Sequence, residues 1–401
     1  MSNKIDAFTD PDRTLELLRV IGSFGHADVH ILGAIAFRET SRASLMTTVR
    51  RELNRLVDAK LVDTDLNAVG NTSYFLTHAG ARFLSERGND FIAHAGEPKN
   101  MKGSSFYHRI IGSTFLAAHM QHPDVAACVT EFQLLNESTG FDNESIKINL
   151  GHDFSERGIN KLPDGLIFYR NYNEPSFGRP IDWVEAENGK KDDAEYHRTF
   201  RAVWQLNRRK VFCSFKRPFE KLQSQVDGTL RLVFAVPEYS LQTMHNITRS
   251  VQTYDTFLKG NDAEFGRDDF YWWQQIRDNI HIAIIPFKLR NWHADGKVIS
   301  VPLGQAHLKM SSLLADRARA STTKTELRAV FELELELVFK AIQKDGSGRL
   351  LPDFSFAQRQ KRRATNRAFG DKQSKTRLFN PDRWMRDHRL QIDANGIKAG
   401  D

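Results

Sequence analysis

The sequence predicts a mixed α/β fold: a small helix-rich N-terminal unit closed by a hairpin, then a larger unit in which short strands alternate with helices. Two patterns carry that expectation. Apolar residues recur at helical spacing through the first ninety residues, and beyond residue 104 short apolar runs bounded by turn formers are interspersed with further helical spacing. Composition agrees: of 401 residues, 40% are hydrophobic and 27% charged, which excludes global disorder and a fibrous repeat.

Leu15, Leu17, Leu18 and Ile21 mark a first helix ending near Gly22, and Val29, Ile31, Leu32 and Ile35 a second. A third runs from Ser44 to Lys60 with Leu45, Val49, Leu53, Leu56 and Val57 as its buried stripe. Arg50, Arg51 and Arg55 fall off that stripe. Leu61 to Thr64, a turn through Gly70 and Asn71, and Ser73 to Leu76 predict a two-stranded hairpin, after which Thr77-His78-Ala79-Gly80 opens a further helix. Turn formers between Gly88 and Gly103 set a boundary, giving units at 1–95 and 104–350 and a tail at 351–401.

The second unit opens with a helix from Phe106 to His119. Val125 to Leu135 has no clear period, Lys147–Leu150, Gly165–Tyr169 and Asp182–Glu187 suit strands, and Asp192–Asn207 suits a helix. Leu230–Val236 and His281–Pro286 are strong strand candidates. Phe270 to Trp273 read as core aromatics or a partner surface, and Leu327–Gln343 as a helix with a strand alternative.

Charge is unevenly placed. The 57 Lys and Arg exceed the 50 Asp and Glu by seven, yet Arg359 to Arg389 alone holds eleven Lys or Arg against three Asp. The remainder of the chain is therefore near neutral. A cationic tail suits a polyanionic partner, with Lys361, Arg362, Arg363 and Arg367 spanning phosphates. Phe379 and Trp384 either stack on unpaired bases or anchor the tail to the body. Cys128 and Cys213 are too few for a disulfide framework or a thiolate zinc site, so a metal would be held by carboxylate or imidazole. No run is long enough to span a membrane, and the polar start lacks an apolar leader region, so the cytoplasm is expected.

The most informative stretch is Leu162 to Lys191. Asp164 follows a proline and precedes an apolar strand, and Glu185 and Glu187, two apart, project from one face of the next strand. Three converging carboxylates repel one another, so the cluster predicts a cation, and oxygen-only ligation suits Mg²⁺ or Mn²⁺. Lys190 or Lys191 would assist developing phosphate charge. The cluster reads otherwise as a noncatalytic remnant or an acidic surface.

Two resemblances follow from these residues. Helix, helix, longer helix and wing, with "LVDAKLV" and "YFLTHAGARFL", resembles winged-helix regulators over about eighty residues. That implies a third helix in a DNA major groove, with Ser44, Thr47, Thr48 and Arg51 facing it. Pro163-Asp164 with Glu185-x-Glu187 resembles the active-site signature of the restriction-endonuclease-like superfamily, with Glu187 where lysine is usual, which leaves a general-base lysine unassigned. More narrowly, His108, Glu131, Pro163-Asp164-Gly165 and Glu185-x-Glu187, in that order after a winged helix, resemble the replication-relaxation family and related plasmid mobilisation relaxases.

The resemblance implies a winged helix followed by a restriction-endonuclease-like mixed sheet, and metal-dependent nicking of duplex origin DNA with local single-stranded character. Asp164 and Glu185 would hold Mg²⁺ or Mn²⁺, Glu187 would complete the shell, and Glu131 would be a secondary ligand or scaffold. His108 would bind metal or protonate a leaving oxygen, unless it is a satisfied core residue. Candidate partners beyond DNA are a relaxosome accessory protein and a second copy of the chain, without membrane insertion. A noncatalytic DNA-binding regulator or replication accessory protein, and an endonuclease making double-strand breaks, are the competing expectations.

Overall fold

A computed structural model describes residues 11–37, 42–67, 71–87, 93–96, 105–120, 122–136, 148–149, 160–169, 178–187, 191–209, 228–238, 240–260, 267–285, 298–306, 309–310, 313, 390–393 and 396–399. The expected helix at Leu327–Gln343, Cys213, Lys190 and the basic residues Lys361, Arg362, Arg363 and Arg367 lie outside them. No helix among the described residues is long and apolar enough to cross a membrane.

The N-terminal unit contains α1 (Pro11–Phe24), β1 (Ala27–Asp28), α2 (Val29–Ala36), α3 (Arg42–Asp58), β2 (Val62–Leu66), β3 (Thr72–Leu76) and α4 (His78–Arg87). Each helix of the sequence reading is present. On α3, Val49, Leu53 and Leu56 are buried while Arg50, Arg51 and Arg55 are exposed, as the 3.6-residue period requires. β1 was not anticipated: two residues pair antiparallel with β3 and make a three-stranded sheet in the order β1-β3-β2. A two-residue strand has no periodicity to read. Asp28, its last residue, caps α2 by accepting hydrogen bonds from the His30 and Ile31 amides at 2.9 Å.

The second unit continues with α5 (Ser105–His119), β4 (Val125–Thr130), α6 (Glu131–Leu135), β5 (Ile148–Asn149), β6 (Asn160–Lys161), β7 (Gly165–Tyr169), β8 (Gly178–Ala186), α7 (Asp193–Arg209), β9 (Gly228–Pro237), α8 (Leu241–Gly260), α9 (Arg267–Asp278), β10 (His281–Ile285) and β11 (Ile299–Pro302). The aperiodic stretch Val125–Leu135 proves to be a strand turning directly into a helix. Thr130 ends β4 and, with Gln133, makes a reciprocal capping box for α6. Of the four aromatics Phe270–Trp273, Trp273 is buried and Tyr271 is 55% exposed, so that run is only partly core. The tail holds an antiparallel hairpin, β12 (Leu390–Asp393) with β13 (Gly396–Ala399).

Six strands form one mixed sheet in the order β11-β10-β9-β8-β7-β4. β8, β9 and β10 are parallel to one another, and the flanking pairs are antiparallel. The parallel steps are joined through α7 and through α8–α9, because parallel neighbours need a long crossover. Side chains alternate along β8, so the two faces can be read from their neighbours. Ala186 lies under Gly112 of α5, and the adjacent Glu187 bonds Tyr196 of α7, which sets α5 and α7 on opposite faces.

Small residues set the depth of α5 on the sheet. A Cβ on Gly165 would meet Leu116 Cδ1 at 2.6 Å and the Val129 carbonyl oxygen at 3.0 Å. The glycine of the Pro-Asp-Gly run is thus required for packing, independently of any chemistry. Opposite Asp182 on β8, Arg231 of β9 donates to both carboxylate oxygens, at 2.7 and 2.9 Å, and Tyr169 adds a third bond at 2.6 Å. This satisfied cluster closes the end of the sheet away from Asp164.

The two units share one core. Thr130 Oγ1 donates to the Ser23 carbonyl, the His26 ring stacks on Phe106 at 6.2 Å, and the Phe132 ring fills the space beside Gly25. Burial pushes the His26 imidazole down to about 4, so it is neutral at this junction. Gly25 has φ +74°, and an added Cβ would fall 2.4 Å from the Phe132 ring. Gly25→Ala combines a left-handed backbone with overpacking, and the expected loss is about 2 to 4 kcal/mol in urea unfolding. A loss within experimental error would mean that the junction is looser than this contact requires.

Candidate functional site

Asp164 is held from three sides. Its amide donates to the Val184 carbonyl at 2.9 Å, its own carbonyl accepts from the Glu131 amide at 3.0 Å, and its Oδ2 accepts from the Ala186 amide at 2.7 Å. The carboxylate is therefore fixed at the point where β7 begins, β8 ends and α6 starts. Oδ1 meets His108 Nε2 of α5 at 2.8 Å. Burial alone would lower the His108 imidazole, but the charge and hydrogen bond of Asp164 outweigh it and the net shift is upward.

Glu185 and Glu187 share the other face of β8, as their spacing predicts, and both are buried. Lys191 Nζ lies between them, 2.6 Å from Glu185 Oε2 and 2.5 Å from Glu187 Oε1. Trp183 Nε1 donates to Glu185 Oε1 at 2.8 Å, and the Tyr196 hydroxyl donates to Glu187 Oε2 at 3.1 Å. All four carboxylate oxygens of the two glutamates thus have protein donors. Burial pushes the Glu187 carboxyl up against the pull of Lys191. Burial also works to lower the Lys191 ammonium, but the charges of Glu185, Glu187 and Asp164 hold it well above the ordinary lysine range.

Local sequence accounts for the position of Lys191. Asp192 accepts from the Glu195 amide at 2.9 Å, and Glu195 returns a bond to the Asp192 amide at 3.2 Å. This reciprocal cap starts α7 one residue after the lysine, whose charge is turned back toward β8. The Asp-x-x-Glu run was a readable helix-start signal, whereas the choice between Lys190 and Lys191 was not readable. Lys190 lies outside the described residues.

The expected cation is thus met, in this arrangement, by a protein ammonium. Among the described residues, no three His, Cys, Asp or Glu side chains are grouped to hold one ion. The donor chemistry still suits a hard cation. Asp164 faces His108 while Glu185 and Glu187 face Lys191, so even a protonated His108 leaves one negative charge in excess; burial is the main cause of the upward push on Glu187, and the charge of Glu185 adds to it.

Glu131 completes the set from α6. With His108, Arg109 and Asp164 it lines a pocket walled by Phe24 and Phe132, so three of the residues singled out in the sequence meet there. Tyr169 donates to Asp182 at the far end of β7, and burial pushes its hydroxyl up. Tyr107 lies outside the described side chains. In the N-terminal unit Thr47 and Arg51 are exposed and Thr48 is half-buried, with Arg51 Nε 3.3 Å from Glu52; the side chain of Ser44 is outside the described set.

No protein-family model, curated protein or solved structure matches the chain.

Lys191→Met keeps the bulk and removes the charge, leaving Glu185 and Glu187 buried without their cation. The expected loss is about 3 kcal/mol near neutral pH. Carboxyls stranded in this way have folded-state pKa values above the unfolded ones. Stability is then greatest below the unfolded value and falls as pH rises through the folded one, so the deficit should shrink on acidification. Urea unfolding of both proteins at about pH 5 and about pH 7.5 checks this; a pH-independent deficit would count against charge compensation by Lys191.

Proposed function

We propose that the protein is a metal-dependent DNA endonuclease that nicks one strand at an origin of transfer or replication of a mobile genetic element. The observation that carries the reading is that an Asp164–His108 pair lining a pocket and a Glu185–Lys191–Glu187 chain on the other face of β8 lie at one end of a mixed sheet, near enough for the charges of Asp164 and Lys191 to act on each other. A lysine adjoining this carboxylate set is what the Glu185-x-Glu187 motif lacked in sequence, and Lys191 supplies it from the start of α7. The mixed sheet with α5 and α7 on its two faces supports a restriction-endonuclease-like domain.

Asp164 and Glu185 would hold Mg²⁺ or Mn²⁺, with Glu187 completing the shell and Glu131 a further carboxylate at the pocket. Such an ion, when bound, stabilises charge on a phosphate and lowers the pKa of water. The chain's own groups do the positioning. His108 orients Asp164 through Oδ1, and Trp183 and Tyr196 fix the two glutamates. Lys191 brings a fixed positive charge to the two glutamates, and because they hold its ammonium well above the ordinary range it serves to compensate charge rather than to transfer a proton.

The N-terminal unit would act as a winged helix, α3 entering a major groove through Thr47, Thr48 and Arg51 and the β2–β3 hairpin reaching phosphate. Ser44 at the start of α3 and Lys361, Arg362, Arg363 and Arg367 of the tail would add contacts. The partner is then duplex origin DNA with local single-stranded character, joined by a relaxosome accessory protein and a second copy of the chain.

A second reading is a noncatalytic DNA-binding regulator or replication accessory protein on the same fold. One observation favours it: Lys191, Trp183 and Tyr196 already engage every carboxylate oxygen of Glu185 and Glu187.

The test is cleavage of negatively supercoiled plasmid carrying candidate origin DNA, with Mg²⁺, Mn²⁺ or EDTA. Open-circular product that requires metal, and that falls about 100-fold or more in Asp164→Ala and Glu185→Ala, is expected. Undiminished cleavage by those variants would overturn the assignment, linear product would indicate double-strand breaks, and tight selective binding without cleavage would favour the regulator. Arg51→Ala should weaken binding and reduce the slope of log affinity against log salt by about one. An unchanged slope in fluorescence anisotropy would remove Arg51 from the phosphate contacts.

A further inference from the structure

Residues 108, 109, 112, 113 and 116 lie along one side of α5 and form a wall of the pocket, with Glu131 and Asp164 opposite. Arg109 faces Glu131, with Nε 3.6 Å from Oε2, outside hydrogen-bond range, and both side chains are partly exposed, at 20% and 29%. The contrast within the same protein is Arg231, whose guanidinium, 24% exposed, binds Asp182 through two bonds at 2.7 and 2.9 Å with the carboxylate 2% exposed. One arginine is held by two hydrogen bonds, and the other lies beside its carboxylate without one at that distance.

Arg109 and His108 supply the positive charge of the pocket, set against the carboxylates of Glu131 and Asp164. Gly112 and Ser113 continue the α5 wall, and Ser113 brings a hydroxyl. Phe24 and Phe132 line the sides of the pocket, and apolar walls of this kind strengthen a guanidinium–phosphate contact. Guanidinium geometry matches two phosphate oxygens at once.

We infer that Arg109 is the anchor of a phosphodiester subsite in this pocket, held in reserve by Glu131 until a nucleic-acid phosphate displaces the carboxylate. The choice of ligand rests on the nuclease reading. The subsite lies beside Asp164 on the pocket wall, so the phosphate it binds is at or next to the one cleaved. Arg109 holds the backbone, and Glu131 sets how tightly by competing for it.

This competition predicts opposite effects for the two partners of one ion pair. Binding of the dinucleotide d(TpT) to the full chain in EDTA is measured by calorimetry, with inorganic phosphate as the comparison. Arg109→Gln should weaken d(TpT) binding about tenfold, Arg109→Lys should restore part of it, and Glu131→Gln should tighten it several-fold. Circular dichroism and melting confirm that each variant is folded. Absence of d(TpT) binding by the unaltered protein, equal weakening by Arg109→Gln and Glu131→Gln, or binding of inorganic phosphate in preference to d(TpT) would each overturn the inference. A chain that binds d(TpT) through Arg109 but leaves supercoiled plasmid intact with every divalent ion would sink the nickase reading alone. One that nicks without such binding would sink the subsite alone.

Discussion

Burying two glutamates side by side under a helix is tolerable only if a cation is buried with them, and Lys191 meets that requirement. Much of the central architecture follows from it. The last residues of β8 must present Glu185 and Glu187 to one face, and α7 must begin where it returns Lys191 to that face. Asp192 and Glu195 cap the helix at that point, and Tyr196 in its first turn reaches Glu187. A shift of one residue in β8 would turn both carboxylates toward α5 and leave the ammonium without partners. The ion chain therefore enforces strand register and helix start together.

On the opposite face the constraint is closeness. Gly165 under Leu116 lets α5 settle against the sheet, and on this face His108 meets Asp164. Asp164 is tied by backbone bonds to β8 and to α6, so the carboxylate, the imidazole and the first residue of α6 are positioned as one unit. The same short helix contacts the N-terminal unit through Thr130 and Phe132. Packing in the region that would contact DNA is thereby continuous with packing around the pocket, and neither unit can be rotated freely against the other.

Much of this was legible in the chain. Helices with a clear apolar stripe, such as α1, α3 and α5, declared themselves because burial of one face imposes a 3.6-residue period. The strands β7, β9 and β10 did so because short, fully buried runs end in turn formers. The two-residue β1 and the direct passage from β4 into α6 carried no period. Likewise, alternate spacing was enough to put Glu185 and Glu187 on one face, and His108, Glu131 and Asp164, marked by a resemblance in motif order, line one pocket. Arg109 was overlooked because an arginine beside a histidine on a helix has no distinguishing spacing.

The sequence by itself determined the local matters: element types where periodicity is strong, the shared face of Glu185 and Glu187, and the residue classes able to hold charge. Tertiary structure decided which charges meet. Lys191 lies between the glutamates, and Arg231 claims Asp182 and Tyr169. The reason is range. Helix and strand patterns depend on neighbours a few residues apart, whereas an ion pair depends on where two distant backbone segments are brought by packing. That packing is set by glycines and apolar side chains with no charge of their own.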